Sequence, residues 1–258
     1  MPKYYPRLFL NQLSYLFGKI RRSTKKTKTY FPKDFSSNAI NIIERVQAFT
    51  MTSPERVNGL LEAVDYITAN NLPGAIVECG VWKGGSMMAV AYRLREIESI
   101  HRDLYLYDTY EGMSPPTEKD ITCFNVEAQV LLNSKDLLEK EAHHCYCSLE
   151  EVQRNLYLTD YPMERVHFIK GKVEDVIPEK APETIALLRL DTDWYESTKH
   201  ELEHLFPRLV PGGVIIIDDY GYWKGCKEAT DEYFHNYKIP LLLNRIDATG
   251  RIGIKWQP

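Results

Sequence analysis

Apolar residues recur at helical spacing over residues 38–67, then give way to short, continuous apolar runs set between further helical stretches. Ile40, Ile43 and Val46 predict a short helix from Asn38 to Phe49. A second helix opens at Ser53-Pro54-Glu55. Ser53 is a good N-cap, Pro54 suits the first helical position, and Glu55 complements the positive helix end. Val57, Leu60, Leu61, Val64 and Ile67 carry that helix to the turn Asn70-Asn71-Leu72-Pro73-Gly74. The run AIVECG then reads as a buried strand, followed by a glycine turn and a helix from Ser86 to Arg95. Further strands are expected at 104–108, Val166–Ile169 and Ile185–Leu190, and at VIIIDD after the turn Pro211-Gly212-Gly213. Helices are expected from Ser197 to Leu209 and from Trp223 to Tyr237. Leu241–Ile246 and Arg251–Trp256 flank Asp247-Ala248-Thr249-Gly250 as a terminal hairpin.

Strands alternating with helices predict an α/β fold with a mostly parallel sheet covered on both faces, plus an antiparallel hairpin. Residues 114–150 break the rhythm: they are polar, with helical stretches and no clear strand. At about 37 residues this insertion is longer than an ordinary connection and is expected to act as a lid. The chain divides into a basic N-terminal arm, residues 1–37, and a single domain, 38–258. No internal repeat or low-complexity block is present.

In an open parallel sheet, ligands bind beyond the carboxyl ends of the strands. Four of the expected strands end in acids: Glu78, Asp108, Asp191 with Asp193, and Asp218 with Asp219. Crowding so many carboxylates on one edge is costly unless cations or hydrogen-bond donors meet them. Asp191, Asp218 and Asp219, at two neighbouring strand ends, could hold a hard divalent cation such as Mg²⁺. Asp193 would then be free to act as a general base. The competing reading is helix capping, or ion pairing with Arg189, Lys224 or Lys227. The turn Glu78–Ser86 lets a ligand approach backbone N–H groups at a helix start. It is neither a phosphate loop, since Ser86-Met87 replaces the needed Lys-Ser/Thr, nor GxGxxG. Asp108 is well placed to hold a ribose diol. A tight strand–helix turn explains the glycines equally well.

His143-His144-Cys145-Tyr146-Cys147 invites a zinc reading, but no second Cys/His pair lies nearby. A lid histidine reaching the site is the alternative, and solvent-facing residues the default. Trp82, Trp194, Tyr195, Tyr220, Tyr222 and Trp223 all flank the acidic edge. They could stack on an adenine or a sugar, or serve as core.

The charge is uneven. Residues 1–35 carry a net +8 and the rest −12, for −4 in all. The overall balance argues against a nucleic-acid partner. The basic arm follows a short amphipathic piece, Leu8 to Ile20. It reads either as an arm packing on its own domain or on a sister subunit, or as a peripheral membrane anchor. No apolar run approaches the roughly 18 residues needed to span a bilayer, and the first residues do not read as a secretion signal. Five scattered cysteines fit free thiols in a reducing compartment, so a cytoplasmic location is expected, with peripheral membrane contact as the option left by the arm.

Several segments together resemble the macrocin O-methyltransferase (TylF-type) family of S-adenosylmethionine-dependent enzymes. They are Thr50–Arg56, VECGVWKGGS (77–86), LYLYDTYEGM (104–113), FIKGKVEDVIPE (168–179), LLRLDTDWYEST (187–198) and LVPGGVIIIDDYGYWKGCKEATDEYF (209–234). The resemblance covers roughly residues 45–240. It implies a class I, Rossmann-like methyltransferase fold with a seven-stranded sheet, S-adenosylmethionine and Mg²⁺ as cofactors, and a sugar-containing acceptor methylated on a hydroxyl. It places the metal on Asp191, Asp218 and Asp219, and the general base on Asp193. Cofactor contacts fall on Met51, Glu78, Gly80, Gly84, Ser86, Asp108, Thr109 and Asp191, with the adenine edge near Lys172, Val173 and Glu174. A homodimer through N-terminal segments fits the family. The arm and residues 114–147 match poorly, and acceptor specificity is expected in the latter. The rival readings are a catechol-type methyltransferase, a nicotinamide dehydrogenase on the same sheet, and a non-catalytic, membrane-docked scaffold.

Overall fold

A computed structural model describes residues 31–134 and 144–256. Helices α1 (Ser37–Val46) and α2 (Pro54–Ala69) precede strand β1 (Ala75–Cys79). Then follow α3 (Gly85–Glu96), β2 (Leu104–Asp108), α4 (Ala128–Leu132), α5 (Leu149–Tyr157), β3 (Val166–Lys170) and α6 (Val173–Val176). Strand β4 (Ile185–Leu190), α7 (Tyr195–Leu205), β5 (Leu209–Ile217), α8 (Lys224–Asn236), β6 (Asn244–Arg245) and β7 (Arg251–Ile254) complete the order. The strands form one seven-stranded sheet, β3-β2-β1-β4-β5-β7-β6. All pairs from β3 to β5 are parallel, and β7 pairs antiparallel with both β5 and β6. Chain order reverses between β1 and β4, which opens a crevice at their carboxyl ends.

The sheet is buried on both faces because successive strand residues feed two cores. Ile76, Leu104, Leu106, Leu187, Val214 and Ile216 pack with α1, α2, α3 and α5. Val77, Cys79, Tyr107, Leu188, Leu190, Ile215 and Ile217 pack with α6, α7 and α8. The expected cap of α2 is present: Ser53 Oγ accepts from Arg56 N–H at 3.1 Å, with Pro54 in the first turn.

Several boundaries differ from the periodicity. Helix α1 stops at Val46 rather than Phe49, and α7 runs from Tyr195 to Leu205, ahead of the expected 197–209. Pro207, which has no N–H to donate, falls in the short 3₁₀ turn Phe206–Arg208 that ends it. Strand β5 starts at Leu209, so Pro211-Gly212-Gly213 is a break in register inside the strand rather than a turn before it. Ile185 lies opposite Leu209, yet Leu187 lies opposite Val214. The displaced residues seat the chain after β7: Gly212 N–H donates to Lys255 O (2.6 Å) and Lys255 N–H to Gly213 O (2.8 Å). The hairpin pairs over fewer residues than expected.

The long insertion is anchored to the sheet's carboxyl edge by a residue that sequence reasoning passed over. Asp120 is fully buried. Its Oδ2 accepts from Thr117 N–H (2.6 Å) and Thr117 Oγ1 (2.9 Å), and its Oδ1 from Tyr195 N–H (2.8 Å). Tyr195 N–H is one of the free donors of the first turn of α7, so Asp120 caps that helix from a distance. Among the described residues, no helix is long and apolar enough to cross a membrane. Most of the basic arm, residues 1–30, lies outside the described residues, as does His143.

Candidate active site

The acids expected at the strand ends do converge on the crevice, held there by main-chain hydrogen bonds that extend the parallel ladder past its last residues. Gly80 N–H donates to Tyr107 O (2.9 Å), Asp191 N–H to Cys79 O (2.8 Å) and Asp218 N–H to Leu190 O (2.9 Å). Gly80 has φ +83°, and a Cβ there would stand 2.0 Å from Asp191 O. Only glycine lets the β1 and β4 ends approach this closely.

Carboxylate oxygens of Asp191, Asp218 and Asp219 lie within 4.8 Å of one another. Arg189, buried at 3% exposure, runs beneath them. It contacts Glu78 (2.5 Å), Asp191 (2.8 Å) and Asp218 (2.7 Å), and donates to Thr52 Oγ1 (2.9 Å). Arg56 from α2 pairs with Asp218 from the other side and with Asp247 at 3.0 Å. The expected ion pairing is therefore real for Arg189 but not for the two lysines. Lys224 donates to Asn125, and Lys227 pairs with Asp231 one turn along its own helix.

Even with both arginines counted, the edge holds more carboxylates than cations. Burial raises Asp191 and Asp219 well above the ordinary carboxylate range, and repulsion from neighbouring aspartates adds to it, against the opposing pull of the arginines. Glu78 is pushed up to about 7, by burial that outweighs its pairing with Arg189. Burial works against the Arg189 charge, but Asp191, Asp218 and Glu78 overcome it and hold the guanidinium firmly protonated. Asp219 Oδ2 is buried without a hydrogen-bond partner. Three clustered carboxylates and a surplus of negative charge fit a hard divalent cation.

Asp193 stands beside this group in a left-handed conformation, φ +69°. Trp223 Nε1 donates to its Oδ1 at 2.7 Å. Burial, then Asp191, push the Asp193 carboxyl up to about 7. Trp223 is itself fixed edge-on against Trp194, with ring centroids 4.9 Å apart.

Asp108 spends its oxygens on the main chain. Oδ2 accepts from Val81 N–H (2.7 Å) and Trp82 N–H (3.0 Å), and Oδ1 from Tyr110 N–H (2.7 Å). It thus clamps the glycine turn to the β2 loop, and a ribose would share these oxygens rather than find them idle. Thr109 closes the same loop through Gly112 O (2.6 Å). Lys172 caps α6, with Glu174 exposed and Val173 buried behind it, and Gly171 N–H ties this corner to Asp108 O (3.0 Å). Met51 is exposed and Ser86 buried. Gly84 has φ +85°, and a Cβ there would strike Leu156 of α5 at 2.8 Å, so this glycine answers helix packing.

Among the described residues, the only convergent set of three or more ligating side chains is the aspartate group. His144 Nε2 hydrogen-bonds with Leu132 O at 3.1 Å. The charge of the aspartates acts on its neighbour Cys145. Burial, then Asp193, Asp191, Asp108 and Asp219, raise its thiol well above the usual value. A cavity of about 540 Å³, lined by Gly74, Arg102 and Thr184, lies at the opposite edge of the sheet and holds none of these groups.

Comparisons with known proteins identify the family. The model of the family described as "Macrocin-O-methyltransferase (TylF)" matches residues 3–257. That span is wider than the 45–240 of the motif resemblance and takes in the arm and the insertion. The chain is 33% identical over 210 residues to the demethyldecarbamoylnovobiocin O-methyltransferase of Streptomyces niveus, covering 81% of this chain and 76% of that protein. It is 32% identical over 210 residues to the mycinamicin III 3''-O-methyltransferase of Micromonospora griseorubida, covering 81% and 78% respectively. Among solved structures, the O-methyltransferase NovP superposes with a TM-score of 0.71 at 28% identity, over 97% of this chain and 99% of that one.

Proposed function

The chain belongs to the macrocin-O-methyltransferase (TylF) family and is an S-adenosylmethionine-dependent O-methyltransferase; from that premise we propose that it methylates a sugar hydroxyl, with Asp193 as general base beside a divalent cation. The observation that carries this reading is the grouping of Asp191, Asp218 and Asp219 next to a carboxyl that Trp223 holds separately. The relatives act, by their names, on demethyldecarbamoylnovobiocin and on mycinamicin III.

The cofactor supplies an electrophilic methyl group. A divalent cation held by Asp191, Asp218 and Asp219 supplies Lewis-acid stabilisation of an oxygen nucleophile. The chain's own residues do the rest. Arg189 and Arg56 hold Asp218 from two sides, which fixes the ligand geometry before any cation arrives. Asp193 accepts the hydroxyl proton at its carboxylate, one oxygen of which is held by the Trp223 N–H. The acid-rich edge suits the cationic sulfonium of the methyl donor. Met51, Glu78, Gly80, Ser86, Asp108, Thr109 and Asp191 line the cofactor side, with Lys172–Glu174 at the adenine edge. Acceptor specificity is assigned to the insertion that begins at residue 114. The arm at residues 1–35 is an accessory to dimerisation or to peripheral membrane contact, in a cytoplasmic enzyme whose Cys79, Cys123, Cys147 and Cys226 are free thiols.

The test is methyl transfer to glycoside and to catechol acceptors, with Mg²⁺ and with EDTA. Transfer to a glycoside that EDTA stops and Mg²⁺ restores is expected. Transfer to catechols alone, or full glycoside turnover in EDTA, contradicts the proposal.

A further inference from the structure

Helix α7 turns a carboxyl group into the core where its spacing suits an apolar residue. Its buried face includes Thr198, Leu202 and Leu205, and Glu201 lies among them with no exposed surface. Burying a carboxyl is costly unless hydrogen bonds compensate. Here the compensation is one-sided. Oε1 accepts from Thr192 Oγ1 at 2.9 Å, whereas Oε2 is buried without a hydrogen-bond partner. Burial raises the carboxyl well above the ordinary range, against the pull of the Thr192 hydroxyl, and so favours the uncharged acid. Leucine would fill this position without such a cost, but it would offer Thr192 no acceptor.

Thr192 separates Asp191, of the aspartate group, from Asp193. The two acids are not equally secured. Asp191 is fixed by its N–H bond to Cys79 O (2.8 Å) and by Arg189 (2.8 Å). Asp193 lies two residues beyond that ladder bond, at φ +69°. A left-handed backbone at a non-glycine residue persists only where its surroundings over-determine it. The start of α7 supplies such constraints on the turn. Thr192 O accepts from Trp194 N–H (2.8 Å) and from Ser197 Oγ (3.4 Å). Glu201 adds a hold on the Thr192 side chain from within the core.

We propose that Glu201 is a positioning residue: by holding Thr192 it fixes the turn that presents the Asp193 carboxyl to the acceptor. This rests on the reading of Asp193 as general base. Glu201 acts through Thr192, and the ladder bond and Arg189 keep Asp191 in place without it. Glutamine carries the same Oε1 on a side chain of the same shape, so it should serve in place of glutamate.

The experiment compares wild type, Glu201→Leu, Glu201→Gln and Thr192→Val by two readouts. One is the indole N–H resonances of the protein free of metal and cofactor; the other is methyl transfer to a glycoside. The Trp223 resonance, assigned by its loss in Trp223→Phe, reports the bond to Asp193. Glu201→Leu and Thr192→Val should both move it and leave Trp82 and Trp256 unmoved, while Glu201→Gln should match wild type. Both should lower kcat by about 10- to 10²-fold, the scale of a reacting group displaced by about an ångström. Acceptor KM and the S-adenosylhomocysteine Kd should stay near wild type, and the unchanged cofactor Kd shows that a variant is folded. Thr192→Val decides the matter if Glu201→Leu does not fold. The double variant should lose no more than the worse single one, because the two residues act through one bond. An unmoved Trp223 resonance or a wild-type kcat in the folded variants, or losses that multiply in the double variant, overturns the positioning role, and a low kcat in Asp193→Asn then leaves the base reading standing. Wild-type kcat in Asp193→Asn overturns the base reading instead, and a Trp223 resonance moved by Glu201→Leu still supports the hold on the turn.

Discussion

Two buried arginines, one at each edge of the sheet, are treated in opposite ways. Arg102, at the amino edge, is 6% exposed and faces main-chain carbonyls: Gly74 O (2.9 Å), Ile67 O (3.2 Å) and Leu72 O (2.8 Å). Burial lowers its pKa, with no carboxylate beside it to offset the loss. Arg189, at the carboxyl edge, is 3% exposed and faces Glu78, Asp191 and Asp218, which raise its pKa. The first staples the end of α2 to the start of β1 through neutral acceptors, a structural use of a fork of donors. The second draws carboxylates together in a place where they remain in excess. Stability at one edge and chemistry at the other follow from what each guanidinium is given to bind.

The comparison can be broken or sharpened by substitution. The largest effect is expected at the carboxyl edge in turnover. Asp193→Asn should cut kcat by about 10²- to 10⁴-fold, as for loss of a general base, while thermal stability and cofactor Kd stay near wild type. Wild-type kcat in that variant would remove the base role. Next comes Arg189→Met, which leaves Glu78 and Asp218 buried with their shared partner gone. A loss of about 3–5 kcal/mol in denaturant unfolding is expected, as for breaking a buried pair, and turnover should fall with it. Arg102→Met should cost less, about 1–3 kcal/mol for orphaned carbonyls, and should leave kcat of the folded fraction untouched. If Arg102→Met lowers kcat as much as Arg189→Met does, the division between the two edges fails.

The smallest effect is one of pH. Asp247 is held below the ordinary carboxylate range: burial opposes its charge, but Arg56, Ser53 and the Gly250 and Thr249 N–H groups prevail. The unfolded carboxylate takes up its proton first as pH falls. The stability Asp247 contributes is therefore complete above about pH 4 and fades as pH drops through its lower folded value. Asp247→Asn should flatten that acid limb in pH-dependent unfolding and change little at neutral pH. An unaltered acid limb would show that the Arg56–Asp247 pair contributes nothing.

What the chain discloses before folding follows the same division. The strand ends and their acids were legible because a continuous apolar run closed by Asp or Glu has few other meanings in an alternating α/β pattern. Ser53 and Pro54 announced their helix through local capping chemistry. Arg189 was foreseen only as one of three pairing candidates, although a charged residue inside the otherwise apolar IALLRL demands a buried partner. Lys224 and Lys227 were equally near in sequence but are carried off by α8. Asp120 gave no signal, because its partner Tyr195 N–H is a helix-end donor that becomes a neighbour only after folding. The same holds for His144, whose partner Leu132 O lies 12 residues back in the chain. The Pro211-Gly212-Gly213 break looked like a turn because local sequence cannot show that β7 will return to pair beside it.

The account's central claim is that the acid surplus at the carboxyl edge is completed by a divalent cation. Isothermal titration of Mg²⁺ into the protein saturated with S-adenosylhomocysteine, for wild type and for Asp219→Asn, tests it most directly. One site per chain in wild type, lost or greatly weakened in the variant, is the predicted result. No binding in wild type, or an isotherm that Asp219→Asn leaves unchanged, would contradict it.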